Sequence, residues 1–297
     1  MKFKVCIFLL CFIGISTIAS AQVIVKDTTT TKDTTLGKKL EKIGHEVVKD
    51  TVLSKESKKD TVLEKKLEKK YYSFHQFEHE TVLFVETPAR WHSRDWLRLG
   101  IVLGATAAIM PLDQNLMAAT QKPPQHYYYS VAVVGGRLYG EWYTIGTVTA
   151  LFAGYGILAK DTAAKKIAIE LFQAGVYAEL VTEVTKVVIG RARPYENLGA
   201  FKYHPFTFFN TGFQSSPSGH ATAAMALSTV MFRHSHSTLL KILSFVPAAF
   251  TLYSRIYQNY HWASDEFLGA AVGFATGNWV VNLHEKRRHK INIPVAK

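Results

Sequence analysis

The chain has 297 residues, and 48% of them are hydrophobic, which is enough for a substantial core in one large domain or two small ones. Such a composition excludes an intrinsically disordered protein. The formal net charge is +12, but no helix-turn-helix, zinc ligand set or aromatic RNA-binding platform accompanies it. We therefore expect an anionic small substrate or a membrane surface as the partner, and no nucleic acid; no feature of the sequence indicates an oligomeric state.

Residues 1–21 have the order of a secretory signal peptide. Lys2 and Lys4 precede an apolar run from Val5 to Ile18, and Ala19-Ser20-Ala21 provides an A-x-A cleavage site. An uncleaved membrane anchor is the alternative, although the apolar run is short for a membrane span. We expect export to the periplasm or the cell envelope, with the active site on the periplasmic side.

Both cysteines, Cys6 and Cys11, lie within this predicted signal peptide. The mature chain is therefore expected to contain no disulfide, no cysteine nucleophile and no thiolate metal site. Lipoprotein attachment at Cys11 is the weaker interpretation, because Phe8-Leu9-Leu10 before it lacks small residues.

Between residues 22 and 70 the composition changes to Lys, Thr, Asp and Glu. The sequence Lys-Asp-Thr recurs at Lys26, Lys32, Lys49 and Lys59. Few large apolar groups are present to offset the entropy of ordering, so the segment is predicted to be a basic, mostly disordered tether. A second interpretation is that its lysines bind anionic lipid head groups or envelope polymers.

Residues 71–297 are predicted to form one all-α domain, a helical bundle of about six core helices. Six apolar segments are each long enough for a helix and are bounded by polar or proline-containing turns. These segments are Leu97–Leu112, Trp142–Ala159, Ile167–Val188, Ala221–Phe232, Leu239–Tyr253 and Phe267–Leu283. Short β-structure is expected at most around Phe74–Glu86.

The apolar segments do not decide whether the bundle spans a membrane. None has about 20 uninterrupted apolar residues, since Glu170 interrupts the third segment and Asn278 and Asn282 interrupt the last. Basic clusters at alternate turns fit the positive-inside pattern. However, a cleaved signal followed by three spans would put Lys186 on the cytoplasmic side. A periplasmic bundle that contacts the membrane surface is slightly favoured, and a spanning bundle stays open.

Pro217-Ser218-Gly219-His220 directly precedes the helical run Ala221–Phe232. Pro217 and Ser218 are typical of a helix start, where backbone N–H groups have no partner within the helix. A glycine there lets an oxyanion approach, so Ser218 and Gly219 are predicted to donate hydrogen bonds to phosphate oxygens. Taken alone, these four residues are more often an ordinary capped helix.

His261 and Asp265 are four residues apart, so on a helix they share one face. The Asp265 carboxylate is predicted to accept a hydrogen bond from His261 Nδ1, which leaves Nε2 free as a nucleophile for phosphorus. His220 is the candidate acid that protonates the departing alkoxide. A His/Asp pair by itself is more often a surface contact.

Lys186, Arg193 and Arg255 provide the positive charge that three phosphoryl oxygens need. Fixed cations stabilise a pentacoordinate transition state more than the ester, because its equatorial oxygens carry more charge. Seven residues separate Lys186 from Arg193, a spacing that predicts the same side of a helix after about two turns. Any one of these cations alone is a solvated charge by default.

Taken in order, these residues resemble the three-part signature of the type 2 phosphatidic acid phosphatase superfamily, which includes lipid phosphate phosphatases, bacterial nonspecific acid phosphatases and vanadium haloperoxidases. The match covers residues 186–265. The matching residues are Lys186, Arg193, Pro194, Pro217, Ser218, Gly219, His220, Ser254, Arg255, His261 and Asp265.

The resemblance implies a helical-bundle core and a phosphohistidine intermediate on His261, with His220 acting as acid and then as base. It further implies that the phosphate is held by Lys186, Arg193, Ser218, Gly219 and Arg255. No metal or other cofactor is expected, and vanadate is expected to inhibit.

Three functions follow from the resemblance. The first is hydrolysis, in the envelope, of lipid phosphates or diphosphates of the phosphatidate, phosphatidylglycerophosphate or polyprenyl diphosphate type. The alternative is a soluble periplasmic nonspecific acid phosphatase. A vanadium-dependent haloperoxidase is less favoured, because the enzymes of that kind are usually longer chains.

The segment between Arg193 and Pro217 leaves two further interpretations open. Arg191, in Gly190-Arg191-Ala192-Arg193-Pro194, is either a head-group contact or a solvated arginine. Nearby aromatic residues either line a groove for an acyl or prenyl chain or, by default, pack in the core. These aromatic residues are Tyr195, Tyr203, Phe206, Phe208, Phe209 and Phe213.

Overall fold

The structure is a computed structural model that describes residues 74–290. Within this range it is helical, with short 3₁₀ and π turns and one isolated bridge between Arg191 and Tyr203. The α-helices are α1 (Phe74–Glu86), α2 (Ser93–Ile109), α3 (Asp113–Thr120), α4 (Gly136–Tyr139), α5 (Trp142–Leu158), α6 (Thr162–Ile189), α7 (Gly219–His234), α8 (Thr238–Leu243), α9 (Val246–Tyr257) and α10 (Ala263–Lys290). The all-α prediction is confirmed for this part of the chain. The predicted signal peptide and tether lie outside the described residues.

The core lies where α6, α7 and α10 pack against one another, with α5 against α6 and α9 against α7. The seam between α7 and α10 is unusually close. A Cβ on Gly273 of α10 would lie 2.2 Å from the Thr222 carbonyl oxygen of α7. Because only glycine tolerates this approach, the amino-terminal ends of both helices are held side by side. Ser218, Gly219, His220 and His261 lie at those ends.

Both ends of helix α6 are defined by capping residues. The Asp161 side chain accepts hydrogen bonds from the Ala163 and Ala164 amides at 2.8 and 3.0 Å, as an N-cap does. The helix ends at Gly190, whose φ of 59° lies in the left-handed region. A Cβ there would lie 1.9 Å from the His204 carbonyl oxygen, so the chain turns sharply just beyond Lys186.

The prediction of β-structure at Phe74–Glu86 is wrong, because this segment is α1. Its apolar residues recur on one helical face and contact Tyr177 of α6. Phe84 stacks on Tyr177 with ring centroids 4.6 Å apart, and the Thr81 hydroxyl lies 3.0 Å from the Tyr177 hydroxyl. These tertiary contacts outweigh the β-branched and aromatic composition that favoured a strand.

One predicted helix is divided. Leu239–Tyr253 becomes α8 and α9, which meet at Ser244 and Phe245. Pro247 occupies the first turn of α9, where its missing N–H costs nothing but where it cannot continue the preceding helix.

Polar residues that interrupt the apolar segments are taken up by contacts between helices. Glu170 of α6 is fully buried, accepts a hydrogen bond from His234 and lies 3.4 Å from Lys166 Nζ. Asn278 and Asn282 of α10 both accept hydrogen bonds from Arg233 of α7. The polar residues that interrupt the predicted apolar segments therefore have partners on neighbouring helices.

The exterior carries extended apolar surface. Among the described residues, two helical segments are long and apolar enough to cross a membrane. They are Ser93–Thr120, whose most apolar part is 6% buried, and Thr238–Tyr257, whose most apolar part is 33% buried. Helix α6 presents a further stripe of exposed side chains at helical spacing: Phe172, Val176, Leu180, Val184 and Val188. Such surface is typical of a membrane-contacting protein.

Candidate active site

The structure brings the predicted site residues together at one end of the bundle. Three cations, Lys186, Arg193 and Arg255, lie close enough to His261 to lower its pKa. The imidazole of His220 does the same. The Ser218 amide donates a hydrogen bond to the Asp265 carbonyl oxygen at 3.1 Å, which joins the start of α7 to the start of α10. The site is thus formed by the ends of α6, α7, α9 and α10 and the segment between α6 and α7.

His261 lies in the turn before α10 and is almost fully buried. Its Nδ1 is 2.7 Å from the Ser215 carbonyl oxygen. A carbonyl oxygen only accepts, so Nδ1 carries the proton and Nε2 keeps its lone pair. Burial lowers the pKa of His261 well below its usual value, and the charges of Arg193, Arg255 and Lys186 lower that pKa further. The ring is therefore neutral, as a nucleophile must be.

The predicted hydrogen bond between Asp265 and His261 is not the one that the structure shows. Asp265 instead accepts from the Ser215 hydroxyl at 2.6 Å, from Arg191 at 2.7 Å and from the Trp262 amide at 3.0 Å. Asp265 lies inside the first turn of α10, whereas His261 precedes that helix, so the assumed helical face does not exist. Asp265 therefore acts on His261 through Ser215, whose carbonyl it helps to hold.

Arg191 is neither a head-group contact nor a solvated arginine. Its side chain is fully buried and forms ion pairs with Asp113 and Asp265, each at 2.7 Å. It also donates to the Ala200 carbonyl oxygen and to the Ser264 hydroxyl. Two carboxylates and this guanidinium satisfy one another without solvent, as buried charges must. Arg191 is a structural centre that fixes Asp265.

The sequence analysis did not identify Asp113 as part of this network. It caps the network at the start of α3, where it accepts hydrogen bonds from the Ser264 amide at 2.9 Å and the Ser264 hydroxyl at 2.6 Å. The only available signal was a lone acidic residue following Pro111 and Leu112, and its partners lie far away in the sequence.

The helix start at residues 217–220 is confirmed. Ser218 is the N-cap of α7, and its hydroxyl accepts a hydrogen bond from the Ala221 amide at 3.3 Å. Its own amide is bound to the Asp265 carbonyl oxygen, so the expectation that Ser218 donates to phosphate through the backbone is wrong. Because the Ala221 amide is bound to the Ser218 hydroxyl, the amides of Gly219 and His220 are the first-turn donors that remain for an anion.

Lys186 lies directly over the start of α7. Its Nζ would be 3.1 Å from a Cβ on Gly219, so the missing side chain at Gly219 makes room for the ammonium. Glu183, which the sequence analysis did not assign to the site, lies 2.5 Å from Lys186 Nζ. The Glu183 carboxylate therefore helps to fix the position of the Lys186 ammonium.

Arg193 reaches the site by a route other than the predicted one. Helix α6 ends at Ile189, so Arg193 is not two helical turns beyond Lys186 but lies in an extended segment after Gly190. Its Nε donates to the Thr211 carbonyl oxygen at 3.0 Å, and its guanidinium lies 5.9 Å from the Tyr260 ring centroid.

Arg255 is buried and incompletely paired. Its guanidinium lies 4.1 Å from the Tyr260 ring centroid and donates to the Gln258 side chain at 2.7 Å. Its Nε has no hydrogen-bond partner among the described residues. A buried cationic donor without an acceptor is rare unless a ligand supplies one, and an anion is the ligand that fits.

His220 extends from the first turn of α7 towards the start of α5. Its Nε2 lies 3.3 Å from a carboxylate oxygen of Glu141, a residue that the sequence analysis did not identify. Burial and the nearby cations, Arg255 first among them, lower the pKa of His220 to about 3. The positive charges that would bind phosphate thus keep this imidazole neutral while the site holds no anion.

The aromatic residues after Arg193 are mostly exposed. Phe206, Phe208 and Phe209 face outward, and Phe209 is 99% exposed. Core packing, the default expectation, is therefore wrong for these three residues. They lie in the same segment as the site, on the outside of the bundle.

Comparison with known proteins agrees with this geometry. The model of the PAP2 superfamily matches residues 168–289. Lipid A 1-phosphatase of Rhizobium etli is 30% identical over 210 residues, which are 63% of this chain and 82% of that protein. Lipid A 1-phosphatase of Porphyromonas gingivalis is 36% identical over 92 residues, 29% of this chain; the match spans about a fifth (21%) of that protein's length.

A solved structure shows the same fold. It is the crystal structure of the first transmembrane PAP2-type phosphatidylglycerolphosphate phosphatase from Bacillus subtilis. The two chains superpose with a TM-score of 0.50 and 22% identity, over 63% of this chain and 94% of that one. At this identity the likeness concerns the fold alone.

Proposed function

The chain belongs to the PAP2 superfamily, and from the geometry of its site we propose that this phosphatase hydrolyses lipid phosphates or diphosphates in the cell envelope through a phosphohistidine on His261. The observation that carries the proposal is the state of His261. It is neutral, its Nδ1 is bound to the Ser215 carbonyl oxygen, and three cationic side chains surround it. This is the arrangement of a nucleophile for an anionic phosphorus centre.

In the first step, His261 Nε2 attacks phosphorus. A P–N bond forms as the bond between phosphorus and the leaving oxygen breaks, and the imidazole becomes a cation. The Ser215 carbonyl oxygen, held through Asp265, accepts the Nδ1–H throughout and stabilises that cation. The departing oxygen takes a proton from His220 and leaves as an alcohol, or as a phosphate monoester when the substrate is a diphosphate.

The cations and the helix start hold the phosphoryl oxygens. Arg255 contributes its unpaired Nε, Lys186 its ammonium over Gly219, and Arg193 its guanidinium beside Tyr260. The amides of Gly219 and His220 at the start of α7 complete the set. No step needs a metal ion, because these fixed charges supply the electrostatic stabilisation of the transition state.

In the second step, His220 takes a proton from water, the hydroxide attacks phosphorus, and the P–N bond breaks to release inorganic phosphate. His220 starts this step neutral, because it gave up its proton in the first one. Its low pKa in the empty site favours this basic form, while the phosphoryl group bound among the cations offsets their charge in the complex.

The substrate is proposed to be a lipid because the bundle exposes extended apolar surface, part of it in the segment that carries Arg193. Two helical segments are apolar and long enough to cross a membrane, and the exposed Phe206, Phe208 and Phe209 lie in the segment that carries Arg193. The relatives with the highest similarity reported above are named for action on lipid A. We propose an envelope location, with the site on the periplasmic side after export by the predicted signal peptide.

The test is phosphate release by the purified full-length chain. The panel contains a glycolipid 1-phosphate, phosphatidate, phosphatidylglycerophosphate, a polyprenyl diphosphate and a water-soluble aryl phosphate. We expect release from at least one lipid at a kcat/KM above that for the aryl phosphate. Hydrolysis of the aryl phosphate alone, by protein found in the detergent-free fraction, would instead identify a soluble nonspecific acid phosphatase.

The intermediate is tested by labelling. With a ³²P-labelled aryl phosphate, whose leaving group needs little protonation, His220→Ala should accumulate a covalent label that is stable in alkali and lost in acid, as a P–N bond is. His261→Ala should show neither label nor turnover, while His236→Ala, at an exposed position in the turn after α7, should behave as the wild type. Phosphate release by His261→Ala would contradict the mechanism.

A further inference from the structure

An apolar groove runs along the outside of the bundle between α9 and α10, with α7 as its floor. Its volume is about 410 Å³. Its lining residues include Ile256, Ala263, Glu266, Phe267, Ala271 and Phe274. Glu266 is the one residue among them with an ionisable side chain. The small side chains of α10 leave the space that the groove occupies.

Glu266 lies at the end of the groove nearest the site. It is 1% exposed, and among the described residues no group lies at full hydrogen-bond distance from either carboxyl oxygen, although the Ser218 side chain is close enough to lower its pKa. Burial raises its pKa well above the usual value, so the carboxyl is neutral and can donate. A buried polar group without a partner is costly, and a ligand in the groove would supply the missing partner.

The groove adjoins the phosphate-binding residues. The Ser218 side chain and the charge of Arg255 both lower the pKa of Glu266 against the effect of burial. The Glu266 carboxyl therefore lies beside two groups of the site. Ile256, which follows Arg255, and Ala263, two residues after His261, line the groove. A molecule whose phosphoryl group is held by the cations can therefore continue directly into the groove.

The shape of the groove fits one chain. On α10 the lining extends from Ala263 to Phe274, which corresponds to about 16 Å along the helix axis. Phe267 and Phe274 are partly exposed and form its outer edge. An elongated apolar molecule can enter sideways between them from a lipid layer, whereas a compact polar leaving group would leave most of the walls unused.

We propose that this groove binds one hydrocarbon chain of the lipid substrate, with the Glu266 carboxyl hydrogen-bonded to the polar linkage between that chain and the phosphorylated head. The inference deepens the proposed function and rests on it, since it assigns the chain of the same substrate. It also explains why a carboxyl directly after Asp265 remains buried without a partner: the lipid linkage is that partner.

The experiment measures competition by alkylphosphonates of increasing length against hydrolysis of a water-soluble aryl phosphate. In the wild type, each methylene that enters the groove should tighten inhibition by about fourfold, up to a length at which the gain stops. Ala271→Phe, and the milder Ala271→Leu, should flatten this dependence. Each variant is normalised to its own methylphosphonate value, so a change in the phosphate pocket itself cancels.

The matched control is Ala275→Phe, an exposed position on the same helix outside the groove, which should keep the wild-type dependence on chain length. Equal loss in Ala271→Phe and Ala275→Phe would show that the chain contacts the exterior generally, and a wild-type dependence in both Ala271 variants would show that it lies elsewhere. Either outcome overturns the proposal.

Glu266 is tested with a substrate that has an ester or amide linkage. Glu266→Gln keeps a donor and should raise KM less than Glu266→Leu, which removes it, and the difference should vanish with simple alkylphosphonates that lack the linkage. Equal effects of both variants on every ligand would overturn the role of Glu266. If the wild type hydrolyses no ester at all, the proposed function fails, whereas thermal-shift titration with the same alkylphosphonates still tests the groove.

Discussion

Asp265 reaches His261 through a single intermediate residue, Ser215. The Asp265 carboxylate accepts a hydrogen bond from the Ser215 hydroxyl at 2.6 Å, and the carbonyl oxygen of the same residue lies 2.7 Å from His261 Nδ1. The carboxylate is itself fixed by Arg191 at 2.7 Å. The nucleophile is thus oriented by a chain of contacts in which the loop before α7 is the middle member.

Ser215→Ala tests this relay. The substitution keeps the carbonyl but removes the hydroxyl that ties it to Asp265, and a lost hydrogen bond of this kind corresponds to about a tenfold decrease in kcat with KM little changed. Steady-state kinetics on the aryl phosphate measures the effect. A direct bond between Asp265 and His261 predicts no change, so wild-type kcat in a folded variant would contradict the relay. Ser235→Ala, outside the site, is the control.

Substitutions of Arg191 and Arg193 should have different effects, although the two residues are only two positions apart. Arg191→Leu leaves Asp113 and Asp265 as buried, uncompensated carboxylates, which costs about 3–5 kcal/mol of unfolding free energy. Arg193→Leu, at a partly exposed position, should change stability by less than about 1 kcal/mol but weaken phosphate binding. Chemical denaturation and phosphate titration separate the two effects, and similar stability losses in both variants would contradict the assigned roles.

Gly219→Ala should impair the site without disturbing the fold. The added methyl would lie 3.1 Å from Lys186 Nζ, so the ammonium must move away from the phosphate. We expect kcat/KM to fall by about tenfold to a hundredfold, with little change in Tm. Gly146→Ala provides the matched control, because a Cβ there has no neighbour within 4 Å. Unchanged kinetics in Gly219→Ala would show that Lys186 does not hold the phosphate.

The protein should take up protons from solvent when it binds an anion. Burial and cations lower the pKa of His220 to about 3 in the empty site, so the ring is unprotonated at pH 5–7. A bound phosphate offsets the cations and raises that pKa, so protons move from solvent to the protein. Isothermal titration with inorganic phosphate in buffers of different ionisation enthalpy counts them.

We expect net uptake in the wild type and less of it in His220→Ala. Release of protons, or equal uptake in both proteins, would contradict the role of His220 as the acid. In the complex, kcat should accordingly fall as pH rises through the elevated pKa of His220, which favours activity on the acidic side of neutrality.

Inhibitors test the proposed absence of a metal. Vanadate adopts the pentacoordinate geometry of the transition state and should compete with substrate at the site of Lys186, Arg193 and Arg255. Chelation with EDTA should leave phosphate release unchanged, since the cationic side chains supply the charge stabilisation. Loss of activity on chelation and its recovery on adding a divalent cation would contradict the metal-free mechanism.

Much of the site was predictable because its residues form short sequence patterns. The start of α7 follows from Pro217 and Ser218, since capping is a local property of the backbone. The prediction failed where it extended a helix by periodicity alone. Lys186 and Arg193 share the site, but through the left-handed turn at Gly190 rather than along one helical face.

The amino-acid sequence by itself determined the helical class of the described region and the histidines and phosphate-site cations that meet at its site, because helix periodicity, caps and reactive side chains are encoded within short stretches. Only the tertiary structure decided the partners. Arg191 pairs with Asp113 across 78 residues, and His261 bonds to Ser215 across 46. Such contacts depend on how closely α7 and α10 pack, and burial then requires each charge to find a partner in space.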